Sequence, residues 1–404
     1  MFNQKTRPII IIALVTAVCL IGDSMLYVVL PTHWQDMGLS SLWQIGIILS
    51  VNRLIRLPLN PLVSYLYRKI SARNGILIAL LLAISTTAGY GIVNNFYIFI
   101  LLRCIWGFAW TFLRLGAYFT IIDYSTDQNR GKCMGLYNGL YRLGSLFGML
   151  FGGISADFFG VKITSFAFAF CSIICIPVIF TYIKKSSRGM VAEQTKKESN
   201  FSFFENTHIL PTLCIGLFIS MIYQGMFTST LSYLIELHNN SNISIGFFII
   251  GAASLGGIIQ AIRWSWEPWL APLLGSLTDQ TQGRYSILII STAIASISFS
   301  IISFNMPLAV WLALLLILQI TATSLTTIAD ALAADIAINS AKIKIMTLYS
   351  LLIDLGAALG PMLAYFMNQY FNPYASYWGA ACILLIITLK YSTKAVSLKK
   401  FSHR

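Results

Sequence analysis

Apolar runs of about 20 residues recur from one end of the chain to the other. A helix of that length crosses a hydrocarbon layer of ~30 Å, and inside lipid a helix satisfies every backbone N–H and C=O without outside help. Twelve spans are predicted. Six lie at about 8–31, 42–66, 74–93, 96–122, 133–157 and 160–183, and six more at about 208–236, 243–266, 285–303, 306–334, 347–367 and 372–392. The composition agrees: 57% of the 404 residues are hydrophobic and 10% charged, too little polar material to cover an ordinary soluble domain. The expected fold class is all-α, a polytopic membrane protein. Lys5 and Arg7 precede the first run in the manner of a signal peptide, but the run is too long for an h-region and is taken as the first span.

The net charge of +13 would suggest a nucleic-acid partner in a soluble chain, and the loops supply another reason for it. Lys5 and Arg7 precede span one; Arg68, Lys69 and Arg73 follow span two; Arg130 and Lys132 follow span four. Lys184, Lys185, Arg188, Lys196 and Lys197 follow span six, Arg284 follows span eight, and Lys342 and Lys344 follow span ten. Lys390, Lys394, Lys399, Lys400 and Arg404 close the chain. With alternating spans all of these fall on one side, and only Lys162 falls on the other. That asymmetry places both termini in the cytoplasm and makes the charge a topology signal, with no nucleic acid needed. The polar stretch between spans six and seven reads as a solvated linker. It divides the chain into 1–184, 185–207 and 208–404. The seven cysteines have neither metal nor disulfide spacing and the four histidines are dispersed, so no metal or cofactor is expected.

Within span five, Gly144, Gly148 and Gly152 recur every fourth residue, with Gly153 beside them. Such residues share a helix face and leave a stripe on which another backbone can lie close. Gly135 and Gly139 make a second, shorter seam. Span eleven carries a counterpart in Gly356, Gly360 and Pro361. After span eight comes Gly275-Ser-Leu-Thr-Asp279-Gln-Thr-Gln-Gly283-Arg284. The matching stretch after span two keeps its basic residues but lacks both glycines and the aspartate.

The stripe in span five resembles the antiporter motif on the fifth helix of major facilitator superfamily transporters, with Met149 where the family has proline. The stretch from Gly275 to Arg284 is similar to the family's cytoplasmic motif between the second and third helices of each half. Arg103 and Gly107 in span four resemble the family's R-x-x-q-G motif, with Trp106 in place of the glutamine. Paired motifs at a common offset are what a duplicated six-helix unit requires. The resemblance covers essentially the whole chain. It implies two six-helix bundles around a midplane cavity, alternating access, a proton-coupling role for Arg103, and a latch in which Asp279 caps a helix end or pairs with an arginine.

Ionisable side chains inside spans are costly and tend to face a cavity or a partner. Asp23 in span one and Arg103 in span four each sit ~10–12 Å from the outer end of their spans, so they are level in depth and able to pair. Protonation of the aspartate would release the arginine, which makes the pair a candidate proton site; a static salt bridge is the alternative. Asp354 in span eleven is a second candidate carrier. Arg53 and Arg56 in span two, Arg114 and Trp110 in span four, and Tyr27 in span one are the candidate substrate contacts. More arginines than carboxylates in the first half favour an anionic ligand, unless Arg56 and Arg114 simply reach cytoplasmic water.

The functional expectation is a secondary active transporter, not an enzyme, that exports a small organic solute in exchange for protons. The alternative is proton-coupled uptake of an anionic metabolite or siderophore. A multispan membrane enzyme would need polar catalytic loops, and the outward loops here are short; a non-transporting receptor of this fold would look the same in sequence. Compactness and short loops suggest a bacterial inner membrane, and a monomer is expected. Reporter fusions at Lys197 and at the C-terminus are expected to report cytoplasm, and a periplasmic signal at either would sink the twelve-span topology.

Overall fold

The structure is a computed structural model that describes residues 7–126, 129–183, 209–239, 242–245, 248–278, 283–338 and 342–402. The described chain is helical almost throughout. Its helices are α1 (Arg7–Val29), α2 (Leu42–Leu54), α3 (Arg56–Tyr67), α4 (Ala72–Tyr90), α5 (Phe96–Tyr124), α6 (Arg130–Ile173) and α7 (Cys175–Tyr182). They continue as α8 (Ile209–Ile219), a π-helical segment (Ser220–Phe227), α9 (Thr228–Asn239), α10 (Ala252–Thr278), α11 (Gly283–Ile301), α12 (Leu308–Ile338), α13 (Lys342–Tyr370) and α14 (Ala375–Ser402).

Among the described residues, nine helical stretches are long and apolar enough to cross a membrane. The difference from twelve has three local causes. Spans five and six run on as one stretch, kinked at Gly160, where φ is 80° and ψ 162°, and passing from α6 to α7 at Ile174. Span two is split at Ile55 into α2 and α3, both short. Pro58 has no N–H to give the carbonyl three to four residues back, and Pro61 repeats the defect one turn on. The stretch expected to open span eight at 243 is instead an antiparallel hairpin, β1 (Asn242–Ile245) against β2 (Phe248–Gly251). Its run of Ile243, Ile245, Ile249 and Ile250 suits a strand better than a helix. α10 starts only after Gly251, and its polar, charged, tryptophan and proline residues, among them Gln260, Arg263, Glu267 and Pro268, leave it less apolar than the other long helices.

Helix starts are capped by local polar side chains, which matters where no water reaches the first turn. Asn95 Oδ1 accepts the Tyr97 and Ile98 N–H groups at 2.9 and 3.3 Å and opens α5. Ser71 Oγ accepts Asn74 N–H at 3.3 Å and opens α4.

Packing sorts the chain into two compact units: residues 1–194 with 229–264, and residues 195–228 with 265–404. In the first unit, α1 lies on the glycine stripe of α6. A Cβ on Gly144 would strike the carbonyl of Ala17, one on Gly148 that of Ile21, and one on Gly152 the Met25 side chain. Gly135 and Gly139, expected to form a second seam, have nothing within 4 Å of where a Cβ would stand. The core beneath is built by α1, α3, α4, α5, α6 and α7 around Trp106, Tyr67, Phe112 and Tyr137. Tyr67 donates its hydroxyl to the Phe112 carbonyl at 2.7 Å.

In the second unit, α13 lies on α8 and the π-helical segment in the same way. A Cβ on Gly356 would strike the Leu217 carbonyl, and one on Gly360 that of Met221. Ala17 and Ile21 in the first unit correspond to Leu217 and Met221, each 200 residues further on, so the duplicated motif builds the same contact twice. Tyr223, Phe227, Phe299 and Tyr377 form a ring cluster in the core of this unit, with centroids 5.5 to 6.4 Å apart. Outward-facing Leu81, Phe170, Ile297 and Ile386 leave apolar side chains for the acyl chains to cover.

Gly148→Leu is expected to cost at least about 1–3 kcal/mol, because the new side chain meets backbone and not a movable neighbour. Gly135→Leu, with open space around it, serves as the control. Thermal unfolding in detergent should separate the two, and an unchanged midpoint for Gly148→Leu would show that the α1–α6 seam is not tightly closed.

Candidate functional site

Asp23 and Arg103 form an ion pair between α1 and α5. Both are buried: Arg103 is 0% exposed and Asp23 5%. The guanidinium makes three further contacts, one to Ile48 and two to Tyr90. Its Nε donates to the Ile48 carbonyl at 3.0 Å, the same nitrogen that meets Asp23 lies 3.5 Å from the Tyr90 hydroxyl, and its Cζ lies 6.0 Å from the centre of the Tyr90 ring. Asn52 Nδ2 donates to the same Asp23 oxygen at 3.2 Å. Four helices, α1, α2, α4 and α5, therefore meet around one ion pair. Asn52 and Tyr90 were not among the expected site residues. A single amide inside an apolar run was the available signal for Asn52, and nothing in the sequence separates Tyr90 from other core tyrosines.

The expected substrate contacts come together in pairs of guanidinium and ring. Arg53 Nε donates to the Tyr27 hydroxyl at 3.3 Å, with Cζ 5.8 Å from the ring centre. Arg56 lies over Trp110 at 5.1 Å. Arg114 Nε donates to the Tyr118 hydroxyl at 3.0 Å. A guanidinium over an aromatic face gains from the ring quadrupole and keeps its N–H fork usable, so such pairs suit a wall that meets a polar solute. Gly107, between Arg103 and Trp110 on the same face of α5, packs beneath the Asn52 carbonyl.

Asp354 lies on α13 in the other packing unit and is half-buried, one residue after the Ile353 carbonyl that accepts the Ser220 hydroxyl at 2.7 Å. Arg284 pairs with Asp335 near the end of α12. Asp279 lies outside the described residues; Gly275 falls in the last turn of α10 and Gly283 opens α11. Gly360 and Pro361 sit where the wide turn of the π-helical segment meets α13: a Cβ on Gly225 would come 2.7 Å from the Gly360 Cα.

One further cluster gathers around Asp157, a charge at the outer end of span five. Asp157 Oδ2 accepts the Ser254 N–H at 2.8 Å and the Ser254 hydroxyl at 2.6 Å, and so caps the first turn of α10. His33 Nε2 lies 3.7 Å from Asp157 Oδ1. Beside it, α6 and α10 run antiparallel in backbone contact, Gly153 against the Ala253 carbonyl and Gly257 against that of Met149. Arg142 closes the row, 5.7 Å from the centre of the Trp264 ring.

The profile of the Major Facilitator Superfamily matches residues 12–269 and 268–400. The MFS-type transporter MJ1560 of Methanocaldococcus jannaschii is 25% identical over 283 residues, 68% of this chain and 69% of that protein. The multidrug resistance protein MdtG of Dickeya zeae is 26% identical over 197 residues, 47% of this chain and 45% of that one, so the match spans under half of its length. Among solved structures, a bacterial homologue of the human lysosomal transporter Spinster is similar over 99% of this chain and 98% of its own, with a TM-score of 0.77 and 15% identity.

Arg103→Ala is expected to cost about 3–5 kcal/mol, because it leaves the Asp23 carboxylate buried without its guanidinium. The double variant Arg103→Ala with Asp23→Asn should recover part of that loss. Thermal melts of the set check it, and strictly additive effects would mean that the two side chains are not coupled.

Proposed function

Because the chain belongs to the major facilitator superfamily, and is a multi-pass secondary transporter of small molecules and not an enzyme, we propose that it exports a small organic solute in exchange for protons. The observation that carries this reading is the buried pair of Asp23 and Arg103. A carboxylate held by one guanidinium and one amide changes its partners when it takes up a proton. In the proposed cycle, protonation of Asp23 frees Arg103 from the ion pair, and substrate and proton alternate at this site. Asp354 is the second candidate carrier. The likeness to a multidrug resistance protein over part of the chain supports export.

The proposal also takes the chain as two six-helix halves, 1–184 and 208–404, joined by the segment 185–207, with both termini cytoplasmic, acting as a monomer in a bacterial inner membrane. The glycine stripes and the cytoplasmic motif from Gly275 to Arg284 serve the change between states. A second reading, uptake of an anionic metabolite or siderophore, draws its support from the guanidinium and ring pairs at Tyr27, Arg53, Arg56, Trp110 and Arg114. Those groups contact substrate in either direction of transport.

The solute is identified by comparing small molecules inside and outside cells with and without the protein: accumulation inside cells that lack it supports export, and depletion supports uptake. Transport of that solute driven by a pH gradient is then measured in proteoliposomes. Asp23→Asn keeps the shape of the carboxylate and is expected to abolish uphill transport while leaving downhill exchange. Uphill transport at the wild-type rate would remove Asp23 from the mechanism and move the assignment to Asp354.

A further inference from the structure

Three helix ends of the first unit come together at one level. α1 starts at Arg7, α4 starts at Ala72 with Arg73 behind it, and α7 ends at Tyr182, packed against both. Arg7 donates from Nη2 to the Tyr182 hydroxyl at 3.3 Å, with Cζ 4.7 Å from the ring centre. Arg73 lies over the ring of Phe180, with Cζ 5.3 Å from its centre. Two cations are thus gathered on rings two residues apart in the last turn of α7. Among the described residues neither pairs with a carboxylate, and the Nε of Arg73 is buried without a hydrogen-bond partner.

Like charges drawn to one helix end need a reason. A guanidinium that only sought water would extend away from the helices, and these two turn back onto rings. The last carbonyls of α7 offer roughly half a negative charge against two whole positive ones. A guanidinium stacked on a ring keeps its edge of N–H donors usable, and that edge matches the oxygens of a phosphate. The surface beside the pair says what such a phosphate is attached to. Phe170, Ile173, Pro177 and Phe180 follow at intervals of three, four and three, so they share a face, and all four are exposed. The ten residues from the first to the last rise about 15 Å, the depth of one leaflet of hydrocarbon. This apolar track ends at the guanidiniums, where a lipid passes from acyl chain to phosphate.

We propose that an anionic phospholipid binds at the end of α7: its phosphodiester meets the guanidiniums of Arg7 and Arg73, and an acyl chain lies along Phe170, Ile173, Pro177 and Phe180. A zwitterionic lipid carries an ammonium close to its phosphate and meets the same two cations partly with repulsion. A headgroup of net negative charge, such as that of phosphatidylglycerol, meets them with attraction alone. Asp23 lies 16 residues further along α1, about 24 Å by helix rise. The lipid site is therefore separate from the proposed proton site and independent of the solute transported.

The test uses the full-length protein in detergent. Its thermal midpoint is followed as phosphatidylglycerol, or phosphatidylcholine with the same acyl chains, is added. A ligand of the folded state raises the midpoint with concentration. The wild type is expected to rise by about 2 °C or more with phosphatidylglycerol beyond its response to phosphatidylcholine, and equal responses overturn the proposal. Arg7→Gln with Arg73→Gln is expected to need at least about tenfold more phosphatidylglycerol for the half-maximal rise. Should that pair not fold, Arg7→Gln alone, at an exposed position, is expected to need about fivefold more, and an unchanged requirement overturns the proposal. Lys399→Gln with Lys400→Gln removes the same charge elsewhere in the chain and is expected to respond as the wild type. An equal loss in both double variants would show a diffuse charge effect and overturn the site. Glycerol 3-phosphate, which has the phosphate and no acyl chain, is expected to give no rise; a rise equal to that with the lipid would make the ligand a soluble phosphate and overturn the lipid assignment.

Discussion

Helices surrounded by hydrocarbon gain little by hiding apolar side chains against one another, so this fold depends on how closely their backbones approach. The glycines of α6 and α13 set that distance. With Gly144, Gly148 and Gly152 on one side and Ala17, Ile21 and Met25 on the other, α1 settles on bare backbone and is buried along most of its length. Gly356 and Gly360 do the same for α8 and the π-helical segment. Dispersion forces fade within an ångström, and a single branched side chain in either seam would replace attraction by overlap.

That closeness has an electrostatic consequence. Because α1 is buried around Asp23, the carboxylate has almost no water to turn to, and its surroundings must be supplied by protein. Arg103, Asn52, Tyr90 and the Ile48 carbonyl supply them from three other helices. Fields are strong in such a setting, and a change of one proton alters the balance among four helices at once. Packing and charge are therefore not separate features of the first unit.

Much of this was legible in the sequence, and the reasons are physical. Span positions follow from length and apolarity, since the thickness of the bilayer leaves few alternatives. The level depth of Asp23 and Arg103 follows from helix rise alone. The stripe of Gly144, Gly148 and Gly152 is periodic and needs only one contact face to explain it. What was not legible depends on angles between elements. Gly135 and Gly139 have the same spacing as the true seam, but none of the described residues comes within 4 Å of where their Cβ atoms would stand. Asp157 looks like any charge at a span end, and only the placement of Ser254 makes it a cap. The hairpin at Asn242–Ile245 and Phe248–Gly251 hides because isoleucine is apolar in a strand and a helix alike. Among the arginines, position alone showed which spans carry them; the rings they meet, such as Trp264 for Arg142, come from helices far away in sequence.

The π-helical segment Ser220–Phe227 ends where the chain passes from one packing unit to the other, at Thr228 and Ser229. A π turn holds a residue that an α turn has no room for. Thr228 marks the surplus by donating its hydroxyl to the carbonyl five residues back, on Tyr223, at 2.8 Å. The extra residue widens the turn, and its bare Gly225 lets that wide turn lie against Gly360 of α13, so a bulge in the winding and a gap in the side chains coincide at one point of the seam.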